Sequence, residues 1–296
     1  AGKILYYKND YNKAAEFLNR IYATNKNDTE ILNLLGYIDL NNGKKTDALQ
    51  KFENSLNINN NQWEILMTAG DLNYEINRFD NAARYYTKLQ DLKTLDTSKS
   101  DIQKKLNDRI LKLANIYYTK GLFRKSYEIL SAYNQKYQNL EDFRIYYNSA
   151  LAAMKVGKFD EADKLFEKSE KFNIKNSTYY QQYGLLSYKL KKYDRALLNV
   201  QKAVNLEPTN IDYMILLAEI YETGGNIKET VKIYERIYTL KNNDLKIINK
   251  LADLYYDSNN HQKAYELYLL SIKLDPTSDY ASKAAQRLNE LKKNLN

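Results

Sequence analysis

The sequence predicts an all-α chain of stacked helical hairpins, and three observations carry that prediction. Small residues recur in two columns that stay twelve residues apart: Gly2 with Ala14, Gly36 with Ala48, Gly70 with Ala82, Ala114 with Ser126, Ala150 with Ala162, Gly184 with Ala196, Ala218 with Thr230 and Ala252 with Ala264. That gap puts one small residue on each of two helices that must approach closely. Four residues after the second column a bulkier side chain follows every time: Leu18, Phe52, Tyr86, Leu130, Phe166, Val200, Tyr234 and Tyr268. Helix breakers are scarce, with two prolines and nine glycines in 296 residues.

With the first small residue counted as position 8, units begin at 29, 63, 107, 143, 177, 211 and 245, the last four in strict 34-residue tandem. Residues 1–28 form the tail of an eighth unit, and this mid-unit start is read as truncation or processing. A short oxygen-bearing side chain stands just before most first helices: Asp28, Asp142, Asn176, Asn210, Asp244 and Ser278. Such side chains accept the unpaired backbone N–H groups of the first turn. Gly43, Gly121, Gly157 and Gly225 mark the mid-unit bend, where positive φ costs glycine little. Thr46, Asp80, Asp160 and Asp194 are expected to cap the second helices, and Pro208 and Pro276 to stop them.

Two irregularities interrupt the array. Ten surplus residues, 97–106, follow unit 63; Thr94 to Ser100 are expected as a polar loop and Asp101–Leu106 as a lengthening of the next helix. Unit 107 runs two residues long near Gln138, Asn139 and Leu140. Both are read as repeat degeneracy, with a hinge or contact loop between 1–93 and 101–296 as the alternative. In 279–296, Ala281, Ala284, Ala285, Leu288, Leu291 and Leu295 recur at three- and four-residue steps. This amphipathic helix is expected to cover the last hairpin, and a membrane-surface helix is the rival reading.

The register resembles the tetratricopeptide repeat, best seen in residues 245–278, where Leu251-Ala252 is followed by Tyr255, Ala264, Tyr268 and Pro276. In these terms the chain is a partial repeat (1–28), two repeats (29–96), an insertion with a helix extension (97–106), five repeats (107–278) and a C-terminal capping helix (279–296). The resemblance implies a right-handed superhelix of αα-hairpins. First helices line its concave side and touch a partner through positions 2, 5, 6, 9, 12 and 13. On this chain those positions are mostly uncharged. The candidate binding residues are Tyr74, Asn115, Tyr118, Tyr147, Asn148, Leu151, Gln181, Gln182, Leu185 and Tyr188. Tyrosine offers a rigid apolar face with a hydroxyl, and side-chain amides pair with an extended backbone. The rival reading is structural. Position 11, the usual aromatic core site, is Asn73 and Ser187 in two units, so Tyr74 and Tyr188 beside them would fill the core instead.

Relatives that hold a chaperone's terminal carboxylate use two asparagines and three basic residues. Asn115 and Asn148 match the asparagines, but Leu111, Thr178 and Gln182 stand where cations are required, so that ligand is not expected here.

Composition narrows the chemistry. The absence of cysteine excludes disulfides and thiolate metal sites, and the one histidine, His261, is read as a bend residue. No cofactor, metal or small-molecule substrate is expected, and the chain is read as no enzyme. Net charge is +8, and residues 107–210 hold 18 Lys/Arg against 11 Asp/Glu. That surplus supports a secondary reading as a solenoid RNA-binding protein through Lys112, Arg144, Lys155 and Lys189; an accessory domain of an enzyme is a third. The leading expectation is a bacterial scaffold that binds a protein or peptide in its groove and assembles a complex, in secretion or envelope biogenesis. No run of about 20 apolar residues is present, so membrane contact would need a missing N-terminal anchor.

Overall fold

The computed structural model describes residues 1–92, 100–137 and 140–294, and every regular element among them is a helix. The chain divides into two compact units, Ala1–Val156 and Gly157–Asn296, each taken here by itself. The first holds α1 (Gly2–Tyr7), α2 (Tyr11–Thr24), α3 (Thr29–Asn41), α4 (Lys45–Ile58), α5 (Trp63–Glu75), α6 (Phe79–Asp91), α7 (Ser100–Thr119), α8 (Phe123–Lys136) and α9 (Phe143–Lys155). The second holds α10 (Phe159–Ser169), α11 (Ser177–Lys189), α12 (Tyr193–Leu206), α13 (Ile211–Thr223), α14 (Ile227–Leu240), α15 (Leu245–Asp257), α16 (His261–Leu274) and α17 (Asp279–Asn294). Residues 94–99 of the expected loop, and Gln138 and Asn139, lie outside the described residues. Among the described residues no helix is long and apolar enough to cross a membrane.

Hairpins form because the two small-residue columns let paired helices close up. A Cβ added at Gly70 of α5 would stand 2.5 Å from the Tyr86 ring of α6, and one at Gly36 of α3 would stand 2.6 Å from the Phe52 ring of α4. In the second unit, a Cβ at Gly184 of α11 would meet Val200 Cγ2 at 2.4 Å and backbone atoms of α12 at 3.2 and 3.3 Å. The bulky residue four places after the second column is thus what fills the space above the first. Tyr86, Phe52, Val200, Phe166 and Tyr268 are almost wholly buried as a result.

The bend is left-handed in all eight units. Glycine takes φ of 73° to 80° at Gly43, Gly121, Gly157 and Gly225, and Asn9, Asn77, Lys191 and Asn259 take 58° to 60° elsewhere. Asparagine tolerates this region; Lys191 adopts it at a cost of about 1 kcal/mol.

Side-chain caps hold five of the first helices, while Gln62 before α5 makes none. Asp28 accepts from Ile31 N–H, Asp142 from Arg144, Asn176 from Tyr179, Asn210 from Tyr213, and Asp244 from Lys246 and Ile247. The second helices correct the expectation. They start at Lys45, Phe79, Phe159 and Tyr193, so Thr46, Asp80, Asp160 and Asp194 fall inside the first turn and cap nothing. The three aspartates act there on the positive end of the helix dipole. Side-chain caps on second helices come from Asp10, Asn226 and Asn260.

Helix α17 closes the second unit. Its buried Ala284, Leu288 and Leu291 join the core of Leu251, Ala252, Leu254, Tyr255 and Tyr268.

Two stability outcomes follow. Gly184→Ala is expected to destabilise the chain by about 1–3 kcal/mol, because neither Val200 nor the α12 backbone can yield, whereas Gly224→Ala, whose Cβ would find ordinary contacts at 3.5 Å, should be near neutral. Lys191→Gly should raise stability by up to about 1 kcal/mol through relief of the left-handed bend. Urea-unfolding midpoints of the purified variants measure both.

Candidate functional site

Each first helix spends most of its circumference on the core and leaves one stripe outside it. In α9, Ile145, Tyr146, Ser149, Ala150, Ala152 and Ala153 are buried, and Arg144, Tyr147, Asn148 and Leu151 remain at the edge. In α11, Tyr179, Tyr183, Gly184, Leu186 and Ser187 are buried, and Gln181, Gln182, Leu185 and Tyr188 remain. Steps of three and four residues put each set on one face.

The individual side chains differ in how available they are. Asn115 and Leu185 are exposed, the latter at 37%. Tyr74 lies half-buried, edge-on to Phe79 at 5.4 Å with the Lys112 ammonium 5.3 Å above its ring. Tyr118 meets Phe123 edge-on at 5.0 Å, and burial raises its phenol above the ordinary value. Tyr188 packs on Tyr193 at 6.0 Å and shares a 2.8 Å hydrogen bond with Thr223. Asn148 donates to the Arg144 carbonyl, and Gln182 donates to Gln181. Tyr147 and Leu151 are half-buried. The two readings of the tyrosines therefore divide by position. Asn73 and Ser187 are fully buried at position 11, while Tyr74 and Tyr188 sit at the margin, half packed and half presented.

In the first unit the structure brings Tyr74, Asn115 and Asn148 together in a pocket of about 370 Å³ with Asp108, Arg109, Leu111, Lys112 and Arg144. Three cations line this pocket with the two asparagines: Lys112 and Arg144, already marked in the sequence, and Arg109, which was not. They are occupied. Arg109 and Lys112 both bind the Asp71 carboxylate, and Arg144 bonds Asp108 and Asp142 at 2.7 Å. Asp71 also accepts from the buried Tyr86 hydroxyl at 2.7 Å. Burial pushes the Asp71 carboxyl up, but the hydrogen bonds from Lys112 and Tyr86 and the Arg109 and Lys112 charges outweigh it and hold it below the usual range. The pocket is electrically balanced, which suits a neutral polar ligand better than a carboxylate.

A second pocket of about 370 Å³ shares Arg109 and is aromatic, with Tyr6, Tyr7, Tyr37 and Trp63 in its lining. Trp63 is the sole tryptophan.

The second unit holds a larger trough, about 700 Å³, between α13, α15 and α17. Tyr234, Tyr268 and Tyr280 line it with Ile215 and Ile247, and lysines and carboxylates alternate around them. Burial, with the Glu222 and Glu219 charges, pushes the Tyr234 phenol up to about 12, so it remains a donor at neutral pH. Ile215, Glu219, Lys246, Asn249, Lys250 and Asp253 of this trough stand at first-helix positions 2, 5, 6 and 9, whereas neither the share of α17 nor Trp63 was marked by the sequence. The signal was present in α17, where Tyr280, Lys283, Arg287 and Glu290 form a polar stripe at steps of three and four.

The four cations considered for RNA are differently engaged. Lys112 and Arg144 are ion-paired, and Lys155 and Lys189 lie over the rings of Phe123 and Phe159 at 5.5 and 3.9 Å. His261 opens α16 and meets Tyr256 edge-on at 5.6 Å.

Comparison with known proteins agrees with this architecture. The tetratricopeptide repeat pattern matches residues 143–173, 177–210 and 245–278. The chain is 25% identical over 130 residues to the BBSome complex member BBS4 of Bos taurus, covering 44% of this chain and 25% of that protein. It is 28% identical over 93 residues to the human protein O-mannosyl-transferase TMTC1, covering 31% of this chain and 10% of the enzyme. The matches thus span a quarter or less of these relatives. Among solved structures, the MamA protein superposes with a TM-score of 0.51 at 21% identity, over 60% of this chain and 90% of that one, a likeness of fold.

Asp71→Asn is expected to cost about 1–3 kcal/mol at pH 7, since the charged partner of Arg109 and Lys112 is lost. A depressed carboxyl stabilises the fold above its unfolded value of about 4 and loses that contribution as pH falls through the folded value below it. The variant should therefore show a flatter acid limb in unfolding followed by circular dichroism.

Proposed function

We propose, from the premise that this chain is a tetratricopeptide-repeat protein, that it is a non-catalytic scaffold which binds a protein or peptide on the first-helix faces of its units and so assembles a multiprotein complex. The observation that carries the reading is the stripe left outside the core. Asn115, Tyr118, Tyr147, Asn148 and Leu151 in one unit, and Gln181, Gln182, Leu185 and Tyr188 in the other, are uncharged amides, tyrosines and leucines; Asn115 and Leu185 are exposed and the rest half-buried. The packed half of Tyr118 and Tyr188 serves the fold through Phe123 and Tyr193, and the presented half offers an interface contact area at small entropy cost. The amides supply hydrogen bonds to a backbone laid across them. The relative BBS4 is itself a complex member, in keeping with a scaffold.

Asn115 and Leu185 are the residues to change, because they are exposed and the tyrosines also pack on Phe123 and Tyr193. Asn115→Arg with Leu185→Arg should abolish capture of native partners in affinity purification while helicity and the unfolding midpoint stay unchanged. Tyr118→Ala with Tyr188→Ala should abolish capture too, with a modest loss of stability. Undiminished capture by the arginine pair would count against recognition through these faces.

A further inference from the structure

The eight bends share one backbone turn but not one chemistry. Asn42-Gly43, between α3 and α4, is the single Asn-Gly step in the sequence. An asparagine amide is open to attack by the backbone nitrogen of the next residue, and glycine has no side chain to block the approach. Both residues are exposed, and a Cβ placed on Gly43 would meet nothing within 4 Å. The Asn42 side chain has no hydrogen-bond partner among the described residues. After glycine, the small residue serine hinders least, and the three asparagines that precede serine are all engaged. Asn54 accepts from Gln50, Asn148 donates to the Arg144 carbonyl, and Asn176 caps α11.

The fold holds this step back. Gly43 N–H donates to the Leu40 carbonyl at 2.9 Å, and Lys44 N–H closes the bend on the Asp39 carbonyl at 2.8 Å. Ring closure needs the Asn42 Cβ to eclipse the Gly43 nitrogen about the Cα–C bond. At a ψ of 6° the Asn42 backbone nitrogen eclipses it instead. The peptide plane must therefore turn, and the bond to Leu40 must break, before attack. Exposed bends open locally at a smaller cost than the core.

We propose that Asn42 is a site of spontaneous deamidation gated by opening of the α3–α4 bend. The Gly43 nitrogen bonds to Asn42 Cγ, and the amide nitrogen leaves with the displaced proton as ammonia. Water then opens the cyclic imide, its hydroxyl going to one of the two carbonyl carbons and its proton to the Gly43 nitrogen or the peptide nitrogen it becomes. One opening gives aspartate. The other gives isoaspartate, in which the main chain runs through the former side chain. Water is the only co-reactant. Either product sets a negative charge at the C-terminus of α3, where the helix dipole disfavours it. Isoaspartate also adds a methylene inside the turn that the Leu40 and Asp39 carbonyls close, so it loosens the hairpin in which Gly36 meets Phe52.

The test ages the full chain in mildly alkaline buffer, folded and in unfolding urea, and follows each asparagine by tryptic digestion and mass spectrometry. An isoaspartate methyltransferase counts the isoaspartate. In the folded chain Asn42 should convert ahead of every other asparagine. In urea it should still lead and convert at least about tenfold faster. Asn42→Gln, whose extra methylene slows ring closure at an exposed site, should keep the unfolding midpoint and lose the conversion. Aged wild type should unfold at lower urea than fresh, and aged Asn42→Gln should not. Earlier conversion at Asn54, Asn148 or Asn176, no conversion in the folded chain, equal rates folded and unfolded, or an unmoved midpoint after Asn42 has converted would each overturn the proposal.

Discussion

The close approach of two helices at a small residue is the contact on which the rest depends. Where Gly70 faces the Tyr86 ring and Gly184 faces Val200, no side chain fits between the helices, and each hairpin closes to a single depth. Repeating that contact in register fixes which side of each first helix is core. The remaining stripe, on α9 and α11 alike, is then presented without further design. The candidate residues on that stripe need not be positioned one by one, because the hairpin has already aimed them.

Charge is arranged on the same frame. In the first unit Asp71 gathers the Tyr86 hydroxyl, Arg109 and Lys112, tying one hairpin to the next. In the second, Asp163 is nearly buried and takes Lys192 and Arg195. Removing one partner from such a cluster leaves a charge in a half-dry site, which costs more than the pair contributes. These clusters also explain why a net charge of +8 yields few free cations near the candidate faces.

Fold class was legible because one physical requirement, a small residue at each close contact, leaves the same mark in every unit. First-helix caps were legible for a similar reason, as Asp28, Asn176 and Asn210 act within three residues of themselves. The caps of the second helices were misplaced because Thr46, Asp80, Asp160 and Asp194 suit a first turn as well as a cap, and only the backbone decides. The site was half legible. The stripe follows from helical periodicity, but pockets form between helices distant in sequence. Arg109 meets Asp71, and Tyr280 shares a hollow with Ile215, through packing that no local pattern records.

Recognition through first helices is the claim most worth testing directly. A photo-crosslinking amino acid placed at 115, at 185 and at Leu198, which is 57% exposed on second helix α12, reads it out against native partners. The account predicts a common crosslinked partner from 115 and 185 and none from 198. Crosslinks from 198 with silence at 115 and 185 would contradict it.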